Sequence, residues 1–142
     1  MKVNVDREDM EAVEDKSKNA IISCPIYHRD VMIHLGDLDG ISEHLNCFLN
    51  NEHIDEIKEC FSTTSRGKTI ELNEGQIIVY LPKIPKTASG IATLVHELFH
   101  ATHFVMEKAG ITFSNDSDEA YAYLLDYLVE NALTTFSLSP QQ

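Results

Sequence analysis

Between residues 87 and 110 the sequence repeats mostly apolar side chains every three or four positions, which places them along one face of an α-helix. Thr87 or Ser89 can cap the start of this helix, and Gly110 can end it. The face consists of Ile91, Leu94, Val95, Leu98, Thr102, Val105 and Ala109. Because an apolar helix face must be buried against other elements, we predict that this helix lies at the centre of the domain.

The remaining patterns are strands followed by helices, without β–α–β alternation. We predict strands at 20–27, 31–36, 68–72 and 76–81, and further helices at 37–50, 52–61 and 117–135. Asn73, Glu74 and Gly75 join the last two strands as a hairpin in which glycine supplies a positive φ. The sequence therefore predicts an α+β fold, with a small twisted sheet packed on the central helix and on a C-terminal helix.

With 142 residues, the chain suits one domain with a single core. Residues 1–19 are charged and poorly patterned, and we expect an N-terminal arm there. The predicted domain covers residues 20–136, and residues 137–142 form a short tail.

The charge and cysteine content narrow the classes of partner and compartment. A formal net charge of −12 argues against nucleic acid as the main partner, because binding a phosphate backbone normally needs a basic surface. No apolar run approaches the length of a membrane span, and the N-terminus lacks the apolar stretch of a signal peptide. The three cysteines, Cys24, Cys47 and Cys60, show no CxxC spacing, which favours buried thiols in a reducing compartment. We expect a cytoplasmic protein without a membrane or nucleic-acid partner.

Three polar groups stand close together on the predicted central helix, in the stretch His96-Glu97-Leu98-Phe99-His100. His96 and His100 are one helical turn apart, so their rings can hold one cation between them. Glu97 points to one side, where its carboxylate can take a proton from water that the metal activates. The pattern HExxH predicts a Zn²⁺ site, and the alternative is a histidine pair that arose by chance.

A catalytic zinc needs a third protein ligand. Glu119 follows His100 by nineteen residues, enough for the first helix to end and a second to return beside it. Two other interpretations of Glu119 remain: it could close a capping box with Asp116, or it could face solvent within an acidic stripe. His103 is the best substitute ligand, since it shares the face of His96 and His100.

These residues resemble the gluzincin branch of the zincin metallopeptidases, and in particular small phage-encoded zincin-like metallopeptidases. The resemblance covers residues 76–133, with HELFH and DEAYAYLLDYL as its motifs, and extends loosely to CPIY upstream. It implies that His96, His100 and Glu119 bind zinc and that Glu97 is the general base. It also implies a bacterial host and a strand at 76–81 that lies nearest the cleft, where an extended peptide could add to the sheet.

The chain departs from the larger gluzincins in having no room for a second lobe and no identifiable group that would stabilise the oxyanion. Tyr123 is the first candidate for that role, followed by His103 and Tyr127. We therefore predict a zinc-dependent metallopeptidase that hydrolyses a peptide or protein substrate. The alternatives are an inactive zincin-like module that uses its metal for protein interaction or assembly, and a metal-assisted hydrolase of a non-peptide amide.

Overall fold

The structure, a computed structural model, describes residues 16–47 and 49–140. Short 3-10 turns lie at Pro25–Tyr27 and Leu38–Gly40. The strands are β1 (Ser17–Cys24), β2 (Arg29–Gly36), β3 (Lys68–Glu71) and β4 (Ile77–Leu81), and the helices are α1 (Ile41–Leu45), α2 (Asn51–Ser62), α3 (Ala88–Lys108) and α4 (Asp118–Thr135). The predicted α+β fold is confirmed.

The four strands form one mixed sheet in the order β1-β2-β4-β3. β1 pairs antiparallel with β2, β3 pairs antiparallel with β4, and β2 and β4 run parallel. The expectation that an extended peptide could add to the sheet beside residues 76–81 is wrong, because β4 already pairs with a strand on each side. All five residues of β4 are buried, as expected of a central strand covered on both faces, whereas β1 and β3 form the two edges of the sheet.

Helices cover both faces of the sheet, so the molecule has two apolar cores. Alternate residues of β4 point to opposite faces. Ile77, Val79 and Leu81 pack in the core that includes α3 and α4, and Ile78 and Tyr80 pack in the core that includes α1 and α2. The predicted pairing of a central helix with a C-terminal helix on one face of the sheet is thus present, and a second helical layer lies opposite.

Most of the predicted helices are found close to their expected bounds. Thr87 caps α3 by accepting a hydrogen bond from the backbone N–H of Gly90 at 3.1 Å, and Gly110 follows its end with φ +79. The single helix predicted at 37–50 is wrong, because the chain forms a 3-10 turn there and then only the five residues of α1. Phe48, part of that predicted apolar face, lies outside the described residues. Asn50 starts a new helix by accepting from the N–H of His53.

The ends of the domain differ from the prediction in two places. Residues 17–19, which we assigned to an arm, pair with β2 as the first part of β1. Residues 1–15 and 141–142 lie outside the described part of the chain. Leu138, assigned to the tail, packs against the α3–α4 core.

The three cysteines differ in their exposure to solvent. Cys24 is buried, but Cys47 is exposed and Cys60 is only half-buried, so the expectation of three buried thiols is wrong for two of them. All three are free thiols. Within residues 16–47 and 49–140, the helices are too short or too polar to cross a lipid bilayer.

Candidate metal centre

Helix α3 brings His96 and His100 together on its exposed side. Their Nε2 atoms lie 3.3 Å apart, and the ring centroids are 5.0 Å apart with an interplanar angle of 75°. Each histidine offers one ligand atom. These two atoms and one carboxylate oxygen of Glu97 all lie within 4.8 Å of one another. Among the described residues this is the one group of three histidine, cysteine or acidic side chains that meets that condition.

The separation of the two Nε2 atoms fits a shared cation. Two nitrogens that each bind a tetrahedral metal at about 2.0–2.1 Å are about 3.3–3.4 Å apart. The same 3.3 Å also allows one neutral ring to donate a hydrogen bond to the other. With a cation between them both nitrogens present lone pairs to it, whereas in the hydrogen-bonded pair one nitrogen is the donor and the other the acceptor. Two imidazoles beside a carboxylate suit zinc, and they also suit other divalent first-row metals.

Glu97 differs from the two histidines in being buried. Its side chain is 8% exposed, against 67% for His96, because Glu97 points from α3 toward the edge of the sheet. The hydroxyl Oγ1 of Thr69, on β3, lies 2.9 Å from Oε1 of Glu97 and 2.9 Å from its backbone oxygen. The other carboxylate oxygen, Oε2, is 3.8 Å from Nε2 of His96. One oxygen of Glu97 is therefore held by the sheet, while the other faces the histidine pair.

Gly67 allows this close packing between α3 and the start of β3. A Cβ atom at this position would lie 2.9 Å from Cγ of Glu97 and 3.3 Å from its Cδ. Real Cβ atoms essentially never approach another atom to 2.9 Å. Sequence reasoning missed both Gly67 and Thr69, since strand periodicity indicates which residues share a face but not which helix that face meets.

Glu119 lies in the first turn of α4 and is exposed. Its carboxylate is outside the group formed by His96, Glu97 and His100. The turn that carries it is nevertheless close to α3, because the ring of Tyr121 lies 6.0 Å from the ring of His103. The role of Glu119 as third ligand stays a prediction. The capping-box alternative with Asp116 is wrong, because the N-cap is Ser117 and no side chain caps this helix.

The residues considered as a substitute for the ligand Glu119, or as the group that would stabilise the oxyanion, either contact other residues or are exposed. Nδ1 of His103 is 3.7 Å from the carboxylate of Glu107, one turn further along α3. Tyr123 is 70% exposed, and its hydroxyl forms no hydrogen bond with a described residue. It lines an apolar groove with Tyr127, whose hydroxyl donates to the backbone oxygen of Ser23 on β1. The catalytic role of Tyr123 stays a prediction.

The surroundings of the histidine pair are nearly free of charge along the helix. Glu97 is the one acidic or basic residue, histidines aside, between Ser89 and Met106. Within the described part of the chain, the Nδ1 atoms of His96 and His100 have no hydrogen-bond partner. The two rings are thus oriented by their position on α3 and by each other. Their exposure leaves one side of the centre open to a ligand or substrate.

Comparisons of the chain with protein families, with curated proteins and with solved structures gave no match. The candidate function therefore follows from the chemistry and placement of the residues themselves.

Proposed function

We propose that this protein is a zinc-dependent peptidase in which His96 and His100 hold the metal and Glu97 is the general base. The observation that carries the proposal is the pairing of two histidine Nε2 atoms at 3.3 Å with an adjacent carboxylate that is buried and held by Thr69. A chance histidine pair on a helix surface would not need a buried glutamate anchored to a neighbouring strand.

The donor set decides what the centre could bind. Catalytic zinc sites use three protein ligands, often including imidazoles, and leave a further position free. His96 and His100 would supply two of these ligands, and their exposed side leaves the centre open. A divalent cation there would supply a Lewis acid that polarises a carbonyl and lowers the pKa of water. Glu119 is our candidate for the third ligand, because it lies on the α4 turn that packs beside α3.

The arrangement of Glu97 suits it to move a proton. Thr69 donates to Oε1, so Oε2 is the oxygen left to accept a proton from the attacking water. Glu97 then passes that proton to the amine that leaves when the peptide bond breaks. Fixing one oxygen limits rotation of the carboxylate, and this keeps the accepting oxygen on the side of His96.

A peptide substrate can lie along β3, which is the edge strand beside α3. One side of β3 pairs with β4, and the other side has no strand partner in the described sheet. An extended peptide could add there as a further strand, with its backbone close to Thr69 and therefore to Glu97. In this proposal β3, and not β4, is the strand beside which the peptide lies.

A second function is favoured by one specific observation. The described residues place Glu97 itself in the group of three ligand-bearing side chains, whereas Glu119 lies outside it. If Glu97 binds the metal, it is not free to act as a base, and the centre would stabilise the fold or a partner complex without hydrolysis. The protein would then be a metal-binding module for protein interaction or assembly.

The substitution Glu97→Gln separates the two functions. Zinc content and hydrolysis of a mixed peptide library are measured on the wild type, on Glu97→Gln and on Glu107→Gln, which removes an exposed carboxylate from the same helix. A peptidase keeps about one zinc per chain in Glu97→Gln and loses hydrolysis by about 100-fold or more. Undiminished hydrolysis would rule out Glu97 as the base. Loss of zinc in Glu97→Gln, with no hydrolysis by the wild type, would favour the binding module.

A further inference from the structure

A second concave site lies at the start of helix α3, beside the metal centre. It has a volume of about 460 Å³ and is bounded by the loop before β3, the segment after β4 and the first turns of α3. Its polar lining comes from three cationic side chains and from the hydroxyl side chains of Ser65, Thr87, Ser89 and Thr93. The cations are Arg66, Lys83 and Lys86.

The charge of this pocket is opposite to that of the whole chain. The chain has 23 acidic and 11 lysine or arginine residues, yet three of those 11 line this one pocket. None of the pocket-lining residues that the structure describes is acidic. Arg66 and Lys83 are exposed and form no ion pair or hydrogen bond with another described residue. The pocket is therefore a local positive site on a strongly acidic protein, and it would attract an anionic group.

The pocket adjoins the metal centre at Gly67 and Thr93. A Cβ atom at Gly67 would lie 3.3 Å from Cγ2 of Thr93, which lines the pocket, and 2.9 Å from Cγ of Glu97, which belongs to the metal centre. Strand β3 begins directly after Gly67, and Leu81 at the end of the neighbouring β4 also lines the pocket. A peptide that lies along β3 would therefore lead into the pocket at one end.

We infer that this pocket binds a carboxylate of the substrate and so selects acidic peptides. The inference rests on the proposed peptidase function for its substrate, and on the geometry of the pocket for its charge. Arg66 and Lys83 contribute the attraction, and the hydroxyls of Ser65 and Ser89 provide hydrogen-bond donors for the carboxylate oxygens.

The distance along α3 gives the position of the acidic group. Ser89 in the pocket precedes Glu97 by eight residues, which is about 12 Å along a helix that rises 1.5 Å per residue. An extended peptide advances about 3.3 Å per residue, so the acidic group lies about three or four residues from the bond that is cleaved. The carboxylate can come from an aspartate or glutamate side chain or from the C-terminus of the peptide.

The test measures binding without hydrolysis. Fluorescently labelled peptides are titrated against zinc-loaded Glu97→Gln protein at low ionic strength, with anisotropy as the readout. The peptides are serine–alanine decamers that carry a glutamate block with an amidated C-terminus, no charge with a free C-terminus, no charge with an amidated C-terminus, or a lysine block. The same titrations are made after adding Arg66→Gln and Lys83→Gln together, and after adding Lys108→Gln, which removes one cation from the far end of α3.

We expect the glutamate peptide to bind at least about tenfold more tightly than the uncharged amidated peptide, and the double variant to lose that preference. Lys108→Gln should change this preference for the glutamate peptide by no more than about twofold. A similar gain for the uncharged peptide with a free C-terminus would assign the pocket to the terminal carboxylate. Equal affinities for all four peptides, or an unchanged preference in the double variant, would overturn the inference.

The outcome is distinguishable from failure of the proposed function. If the charge preference depends on Arg66 and Lys83 but wild-type protein hydrolyses none of the peptides, the pocket stands and the peptidase proposal fails. If the wild type cleaves peptides without regard to acidic residues three or four positions from the cleaved bond, the peptidase stands and the inference about the pocket fails.

Discussion

The hydroxyl of Thr69 lies 2.9 Å from both Oε1 and the backbone oxygen of Glu97, and so ties the edge strand β3 to the middle of helix α3. A single hydroxyl hydrogen serves both acceptors, either shared or one at a time. Because Glu97 is buried, its carboxylate depends on this bond for a partner from the sheet. The relationship makes Thr69 a positioning residue for the proposed base.

Replacing Thr69 with valine keeps the shape of the side chain and removes the hydroxyl. We expect kcat to fall by about 10-fold to 100-fold, since partners that orient groups at a metal site commonly contribute that much. KM should change much less, and the free energy of unfolding should fall by about 1–3 kcal/mol because a buried acceptor loses its donor. Thr69→Ser restores the hydroxyl and should recover most of kcat, whereas an equal loss in Thr69→Ser and Thr69→Val would assign the effect to packing.

Gly67→Ala tests the close approach of the β3 start to Glu97. The added methyl group would lie 2.9 Å from Cγ of Glu97, so the helix or the loop must shift. Overpacking of this kind costs about 1–3 kcal/mol, which urea unfolding would measure. Ser65→Ala, two residues earlier at an exposed position, serves as the control and should stay within about 0.5 kcal/mol of the wild type. Full stability of Gly67→Ala would show that the loop can move away at little cost.

Metal content tests the ligand set. Purified wild-type protein should hold about one zinc per chain, and His96→Ala or His100→Ala should remove it, because each deletes one of the paired nitrogens. Glu119→Ala should weaken zinc binding if Glu119 is the third ligand. His103→Ala is the control, since its ring is turned toward Glu107. Elemental analysis gives the stoichiometry, and normal zinc content in Glu119→Ala would move the third ligand elsewhere.

The buried side chain of His34 should make the free energy of unfolding depend on pH. Burial lowers the pKa of His34, although its hydrogen bond to the backbone oxygen of Asp37 opposes the shift. Burial also lowers the pKa of His44, and the electrostatic interaction with His34 lowers it further. The folded state therefore binds protons less readily than the unfolded state, and stability falls as pH drops below about 6.5 toward the lowered folded pKa values.

For each of these histidines, the free energy of unfolding should fall by at most about 1.4 kcal/mol per unit decrease in pH. Urea unfolding at several pH values between 7.5 and 5.5 measures it. His34→Gln, which keeps an amide donor for Asp37, should flatten the slope. His53→Gln replaces an exposed histidine on α2 and should leave the slope unchanged. Stability that rises as the pH falls through this range would contradict the prediction.

Thiol alkylation should distinguish Cys24 from Cys47. Burial, followed by the negative charge of Asp30, raises the pKa of Cys24 to about 11. The thiolate is the reactive form, so at pH 8 Cys24 should react about 100-fold more slowly than an unperturbed thiol. Cys47 is exposed and should be labelled first. Mass spectrometry of the labelled peptides gives the order, and rapid labelling of Cys24 in folded protein would contradict its burial.

Local patterns were enough to predict the elements that depend on neighbouring residues. The bounds of α3, its cap at Thr87 and the hairpin at Gly75 all follow from side-chain periodicity and backbone preferences within a few residues. The exposed pairing of His96 and His100 follows from the same cause, since residues four apart on a helix are always neighbours. One such local prediction failed: the helix expected at 37–50 is divided, because the turn at Leu38–Gly40 and the cap at Asn50 interrupt it.

The tertiary structure alone decided what surrounds the histidine pair. Which strand lies at the edge depends on β4 pairing with β2, whose paired residues are 46 positions away in the chain, and this pairing leaves β3 beside α3. Thr69 and Gly67 reach Glu97 for that reason, and the cations of the neighbouring pocket come together for the same reason. Periodicity places a side chain on a face of its own element, but it contains no information on which element that face will meet. That choice is made by the packing of both apolar cores at once, which involves residues throughout the chain.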